Sequence, residues 1–177
     1  MQIPQVIIEK RRATYAYRGA DITPAATATD VLTLTGSANK LIRLTKIGLS
    51  GSATAASLQD LYIAKRLTAN TAGTFTNPVA AKYDTLDPTA SGIITLYTAN
   101  PTALGTGSPL EGDKLYLPAA ALPTAEPSHW NREYGLGEAQ CPTVRGAAES
   151  ICIGFGGAAI AAGASFYFYI EWTEEAI

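Results

Sequence analysis

The stretch from Gly163 to Thr173 constrains the fold more than any other part of the chain. It reads Gly-Ala-Ser-Phe-Tyr-Phe-Tyr-Ile-Glu-Trp-Thr. Aromatic and β-branched residues suit a pleated surface, and successive side chains of a strand point to opposite faces. Phe166, Phe168, Ile170 and Trp172 therefore share one face, and Tyr167, Tyr169, Glu171 and Thr173 share the other. The first face demands a core. The second sets phenol hydroxyls and a carboxylate on apolar rings, a composition that suits contact with another protein chain. One such strand points to an all-β protein built to assemble.

The rest of the chain keeps to the same period. Short runs of strand character recur at Val31–Thr35, Leu41–Leu49, Leu58–Arg66, Gly92–Thr98, Asp113–Leu117, Val144–Arg145 and Ser150–Phe155, besides Ser165–Glu174. In the second run Ile42 and Leu44 share a face, and then Thr45-Lys46 intervene before Ile47 and Leu49. A phase shift of one residue is the mark of a β-bulge. Between the runs lie Gly, Pro, Thr and Asn, as over Thr68–Val79, Asp84–Pro88 and Pro118–Pro127. His129–Tyr134 is ambiguous, with Trp130 expected to cover part of the core. No useful window holds a 3.6-residue period. About eight strands joined by long crossing connections predict a jelly-roll β-sandwich over residues 29–177. Residues 1–28 read as an N-terminal arm and linker, with short strands at Gln5–Lys10 and Ala13–Arg18 and an aperiodic Thr23–Ala28.

Composition fits one domain with a sizeable core: 177 residues, 47% hydrophobic and 16% charged. The net charge of −2 hides an asymmetry. Residues 1–66 hold nine basic and four acidic residues for a net of +5, and residues 67–177 hold four and eleven for −7. The basic end fits an acidic protein surface. It lacks the sustained basic stripe with interleaved aromatics that nucleic acid requires. No segment is long and apolar enough for a membrane helix, and the residues after Met1-Gln2-Ile3-Pro4 do not form a signal peptide. Cys141 and Cys152 have no zinc spacing, and Cys152, inside Ile151-Cys152-Ile153, reads as a buried thiol; pairing of the two is left open.

Several segments are distinctive as a set. They are Thr29-Asp30-Val31-Leu32-Thr33-Leu34-Thr35-Gly36-Ser37-Ala38, Arg43-Leu44-Thr45-Lys46-Ile47-Gly48-Leu49-Ser50-Gly51 and Ala64-Lys65-Arg66-Leu67-Thr68-Ala69-Asn70-Thr71-Ala72-Gly73-Thr74. Tyr97-Thr98-Ala99-Asn100-Pro101-Thr102-Ala103-Leu104-Gly105 and Glu171-Trp172-Thr173-Glu174 extend the set over residues 29–174, and together these segments resemble a recurring group of tailed-phage virion proteins. The resemblance implies a small jelly-roll structural protein of the virion, a capsid decoration or cement protein. It further implies a homotrimer on the outer surface of the capsid that clamps the major capsid protein, with no catalytic residue.

The residues offer little to an enzyme. The only histidine, His129, lies after Pro127-Ser128 and has no local partner for a catalytic triad. Glu111 and Asp113 are too few oxygens for a cation site, and Glu111–Lys114 reads as a solvated turn. Glu133 and Glu138 flank Gly135-Leu136-Gly137 without the setting of a glycosidase pair. Gly154-Phe155-Gly156-Gly157 lacks the helix that a phosphate loop needs. No cofactor and no metal are expected. The capsid contact is expected at Lys10, Arg11, Arg12, Tyr15 and Arg18, and the oligomer interface at Tyr97, Tyr167 and Tyr169. Removing residues 1–20 is then expected to leave a folded trimer that no longer binds heads. The alternative function is a head- or tail-attached module that binds a host glycan through its Thr/Ala/Asn/Gly loops.

Overall fold

Alternating apolar runs of this kind bury their inner faces only against a second sheet. The computed structural model, which describes residues 12–121, 128–135 and 140–177, has that form. Its strands are β1 (Ala13–Ile22), β2 (Asp30–Thr35), β3 (Lys40–Ser52), β4 (Ser57–Arg66), β5 (Thr74–Thr76) and β6 (Ala81–Lys82). They continue with β7 (Ile93–Ala99), β8 (Gly107–Leu117), β9 (Ser128–Glu133), β10 (Thr143–Val144), β11 (Ser150–Gly154) and β12 (Ser165–Ala176). Among the described residues there is no helix. The first sheet runs β10–β3–β12–β1–β6, with β9 also on β3, and the second runs β5–β7–β2–β11–β4–β8. All named pairings are antiparallel. The chain is an all-β sandwich.

The pairings are nested. β1 pairs with β12, β2 with β11, β3 with β9 and β10, and β4 with β8. First strands meet last strands, as in a long hairpin folded over on itself. Two cross-pairings, β3 with β12 and β4 with β11, then close the two sheets. The segment between β4 and β8 supplies the extras: β5 and β7 extend the second sheet beside β2, and β6 extends the first beside β1.

Inner faces from both sheets form one core. Phe166, Phe168, Ile170 and Trp172 are all buried, as the alternation requires. Phe166 packs on Phe155 at a ring separation of 4.6 Å, and Trp172 stacks on Tyr15 at 5.9 Å. Each fully buried large side chain contributes about 1.5–3 kcal/mol. Trp130 is buried on β9. The bulge in β3 is present: Lys46 faces Glu171 and Leu44 faces Trp172, so Thr45 is the extra residue.

Some expectations need correction. Residues 13–22 are no arm: β1 lies inside the first sheet between β12 and β6, because its inner face carries core residues. The short strand read at Gln5–Lys10 lies outside the described residues. The Thr68–Val79 loop contains β5, and β8 begins six residues before Asp113, so Glu111–Lys114 is strand rather than turn. Of the four strands beyond the expected eight, β5 and β6 are short additions at sheet edges, β9 occupies the segment read as ambiguous, and β1 is the strand read as part of the arm. Glu174 is buried and accepts hydrogen bonds from the backbone N–H groups of Ser91 and Gly92 and from Trp172 Nε1. Both cysteines are free thiols.

Candidate interaction surface

The registers of the first sheet arrange its outer face in rows. Arg18, Tyr169, Gly48 and Asn131 stand side by side across β1, β12, β3 and β9. Tyr167, Ser50 and His129 form the next row, and Ala16, Glu171, Lys46 and Glu133 the row on the other side. The tyrosines of one strand and the polar residues of another thus meet only through the pairing of β3 with both neighbours.

The small residues of β3 make a depression in this face. Gly48 and Ser50 form the floor of a trough of about 240 Å³, with Tyr167 and Tyr169 on one side, His129 and Asn131 on the other, and Arg18 at the rim. A Cβ at Gly48 would come within 2.8 Å of Asn131 Oδ1, so a larger residue there would raise the floor and shift the Asn131 amide.

The tyrosines are held in place. Tyr169 donates to Glu171 Oε2 at 2.8 Å, and Tyr83, which follows β6, donates to the same oxygen at 2.7 Å. The two phenol oxygens are 2.8 Å apart. Thr45, the bulged residue, donates to the other oxygen, Glu171 Oε1, at 2.9 Å. Burial pushes the Glu171 carboxyl up, but the bonds from Tyr83, Tyr169 and Thr45, with Lys46 nearby, outweigh it and hold it below its ordinary value. Burial, then the bonds to Tyr83 and Glu171, push the Tyr169 phenol up. Tyr167 donates to Asp21 at 2.8 Å, and that bond raises its phenol too. Lys46 closes the row with an ion pair to Glu133 at 2.7 Å.

The residues singled out in the sequence fall in several places. Tyr167 and Tyr169 lie on this face, as their alternation demands, and Arg18 joins them. Tyr15 does not reach a surface. It is fully buried against Trp172 and donates to the Pro88 carbonyl at 2.9 Å, which corrects its assignment to a capsid contact. Tyr97 lies on the outer side of the second sheet, 8% exposed, edge-on to Phe75. It cannot share a patch with Tyr167 and Tyr169, which face the other way. Arg12 is exposed and pairs with Glu175 at 3.2 Å, a carboxylate that also binds Arg43. Lys10 and Arg11 lie outside the described residues.

The other chemistry considered is dispersed. His129 is on the outer face of β9 in the first sheet, while Cys152 is buried in the second, where burial pushes its thiol up. Glu111 and Asp113 accept from Arg132, and Asp113 also accepts from Trp130 Nε1, an arrangement that joins β8 to β9. Glu138 lies outside the described residues. Gly156 and Gly157 have positive φ and turn the chain after Phe155, which enters the core. Among the described residues no group of three His, Cys, Asp or Glu is placed to hold a metal.

Sequence reasoning missed Tyr83 and the cluster around Asp30. Asp30 is fully buried and accepts from Arg66 at 2.8 and 3.0 Å, from Asn70 at 2.8 Å, and from Tyr62. An aspartate opening an apolar strand, followed by an arginine at the end of another, was the available signal. Comparison with known proteins found no matching family model, no matching curated protein and no matching solved structure.

Proposed function

We propose that the chain is a non-enzymatic virion structural protein, a decoration or cement protein that binds the outer surface of a tailed-phage head. It acts as a homotrimer and stabilises the head by bridging subunits of the major capsid protein. In this reading the nested strand pairing is the wrapping order of a jelly roll.

The observation that carries the reading is the outer face of the first sheet. Tyr83, Tyr167 and Tyr169 are fixed there by their own chain's carboxylates before any partner arrives. Tyrosine and arginine are the residues that interfaces enrich, and pre-ordered side chains cost less entropy on binding. This face, with Arg18 in the Tyr169 row, is the proposed self-contact. The basic residues Lys10, Arg11 and Arg12 are the proposed contact with the major capsid protein, whose surface would be acidic there. Each copy needs only a standard interface, because symmetric copies multiply the gain.

Light scattering is expected to report a trimer of the 18.5 kDa chain, and the trimer is expected to sediment with undecorated phage heads. Arg18→Glu combined with Tyr167→Ala should give a folded monomer. A wild-type monomer that leaves heads bare overturns the reading.

A further inference from the structure

The outer side of the second sheet carries a pocket of about 290 Å³, on the opposite side of the sandwich from the tyrosine face. Its floor is made of hydroxyls. Thr95 on β7 faces Thr33 on β2, and Thr35 on β2 faces Ser150 on β11, so four alcohols gather on three neighbouring strands. Phe75 and Tyr97, edge-on at 5.6 Å, form an aromatic wall, and Phe75 is 47% exposed. The loop after β4 closes another side with Ala69, Asn70 and Ala72.

The hydrogen-bonding capacity of this floor is unspent. Thr33 is 3% exposed, yet no described residue offers its hydroxyl a hydrogen bond. That hydroxyl is not one of the buried unpartnered atoms among the described residues; it is open to the pocket it lines and free to bond what enters there. Thr35 is likewise without a partner among the described residues. Ser150 has only the Cys152 sulfur at 3.4 Å, and Thr95 accepts from Asn77 but keeps its own proton to give. Asn70, by contrast, is committed: it donates to Asp30 and accepts from the Gly105 N–H.

No charged side chain lines the pocket. The charges on neighbouring residues are already paired, Asp30 with Arg66 and Glu149 with Lys65. A charged ligand would lose its hydration without a counter-charge, at a cost that hydroxyls do not offset. A ligand with many hydroxyls can both give and accept along this floor and lay its C–H face on an aromatic ring. The volume sits at the low end of small-molecule sites and suits a single sugar ring with room at the mouth. From this we infer that the pocket formed by Thr33, Thr35, Thr95 and Ser150 beneath Phe75 and Tyr97 binds a neutral saccharide. The inference does not rest on the decoration reading, because it concerns the other face of the sandwich and needs no phage head.

The test uses the full chain and a panel of neutral disaccharides: maltose, cellobiose, lactose and N,N′-diacetylchitobiose. Sialyllactose serves as the charged control. Saturation-transfer NMR and calorimetry are expected to show at least one neutral sugar bound with Kd at or below about 1 mM. Phe75→Ala, at a half-exposed site that folding tolerates, should weaken that binding by about tenfold or more. Thr33→Val should weaken it comparably while the melting temperature holds, since the lost hydroxyl has no hydrogen bond to another described residue and the side chain keeps its shape. No neutral sugar bound at about 10 mM overturns the inference, as does a preference for the charged control or binding unchanged in both variants.

Discussion

The Asp30 carboxylate has no exposure, and the side chains of Arg66, Asn70 and Tyr62 all donate to it. Arg66 is itself only 12% exposed at its side chain, so it has little water to fall back on. Removing one partner of a buried pair leaves the other uncompensated, which costs about 3–5 kcal/mol. Asp30→Ala is expected to lose that much in urea unfolding; a change under about 1 kcal/mol would mean that Arg66 finds solvent easily. The same residue sets an acid limit. Burial pushes its carboxyl up, but the bonds from Arg66, Tyr62 and Asn70 win and hold it below the ordinary 3.8. Glu171 is likewise held below its ordinary 4.5. A carboxyl lowered by folding gives its stability in full above the unfolded value and loses it as pH falls through the folded value. The melting temperature should therefore hold near neutral pH and drop below about pH 4, and the drop should shrink in Asp30→Asn.

At the scale of elements, β3 shows how one residue sets a register. Ile42 and Leu44 face the core, as do Ile47 and Leu49, although the spacing between the pairs is odd. Thr45 absorbs the extra residue. Deleting Thr45 therefore restores strict alternation. It should leave a cooperatively folding protein that has lost two hydrogen bonds, from Thr45 to Glu171 and from the Tyr134 N–H to the Thr45 carbonyl. The expected loss is about 1–3 kcal/mol. Deleting Gly48 instead makes Ile47 and Leu49 adjacent, which turns one of them to the outer face, and should abolish folding. Equal effects of the two deletions, read by circular dichroism melts, would refute this account of the bulge. β1 carries a second element-scale expectation. Removing residues 1–20 takes Tyr15 from the core and uncovers a flank of β12, so the product should be insoluble rather than a folded trimer. Removing residues 1–11 leaves β1 whole and is the truncation suited to testing Lys10 and Arg11 on heads. A soluble, cooperatively melting chain lacking residues 1–20 would contradict the structural role assigned to β1.

At the scale of the whole molecule, the two outer faces differ in chemistry. One presents tethered tyrosines with an arginine, and the other an uncharged hydroxyl pocket under two rings. The segment between β4 and β8 touches both, because Tyr83 belongs to the first face and Phe75 and Tyr97 to the second. The sequence alone determined what depends on neighbours along the chain. Period-two alternation made Phe166, Phe168, Ile170 and Trp172 a core face, the odd spacing after Leu44 made a bulge, and the lack of any 3.6-residue period made the chain all-β. Only the tertiary structure decided what depends on residues far apart in sequence. Tyr15 and Tyr167 look alike as strand tyrosines. One is buried because β1 lies between β12 and β6 with its inner face on the core, and the other is half-exposed because its face has no second sheet above it. Tyr97 and Tyr169 both read as interface residues, but they end on opposite sides of the sandwich because β7 and β12 belong to different sheets. Tyr83 reaches Glu171 from 88 positions away. Local propensity acts over a few residues, whereas a hydrogen bond or a pocket wall needs strands that only nested pairing brings together.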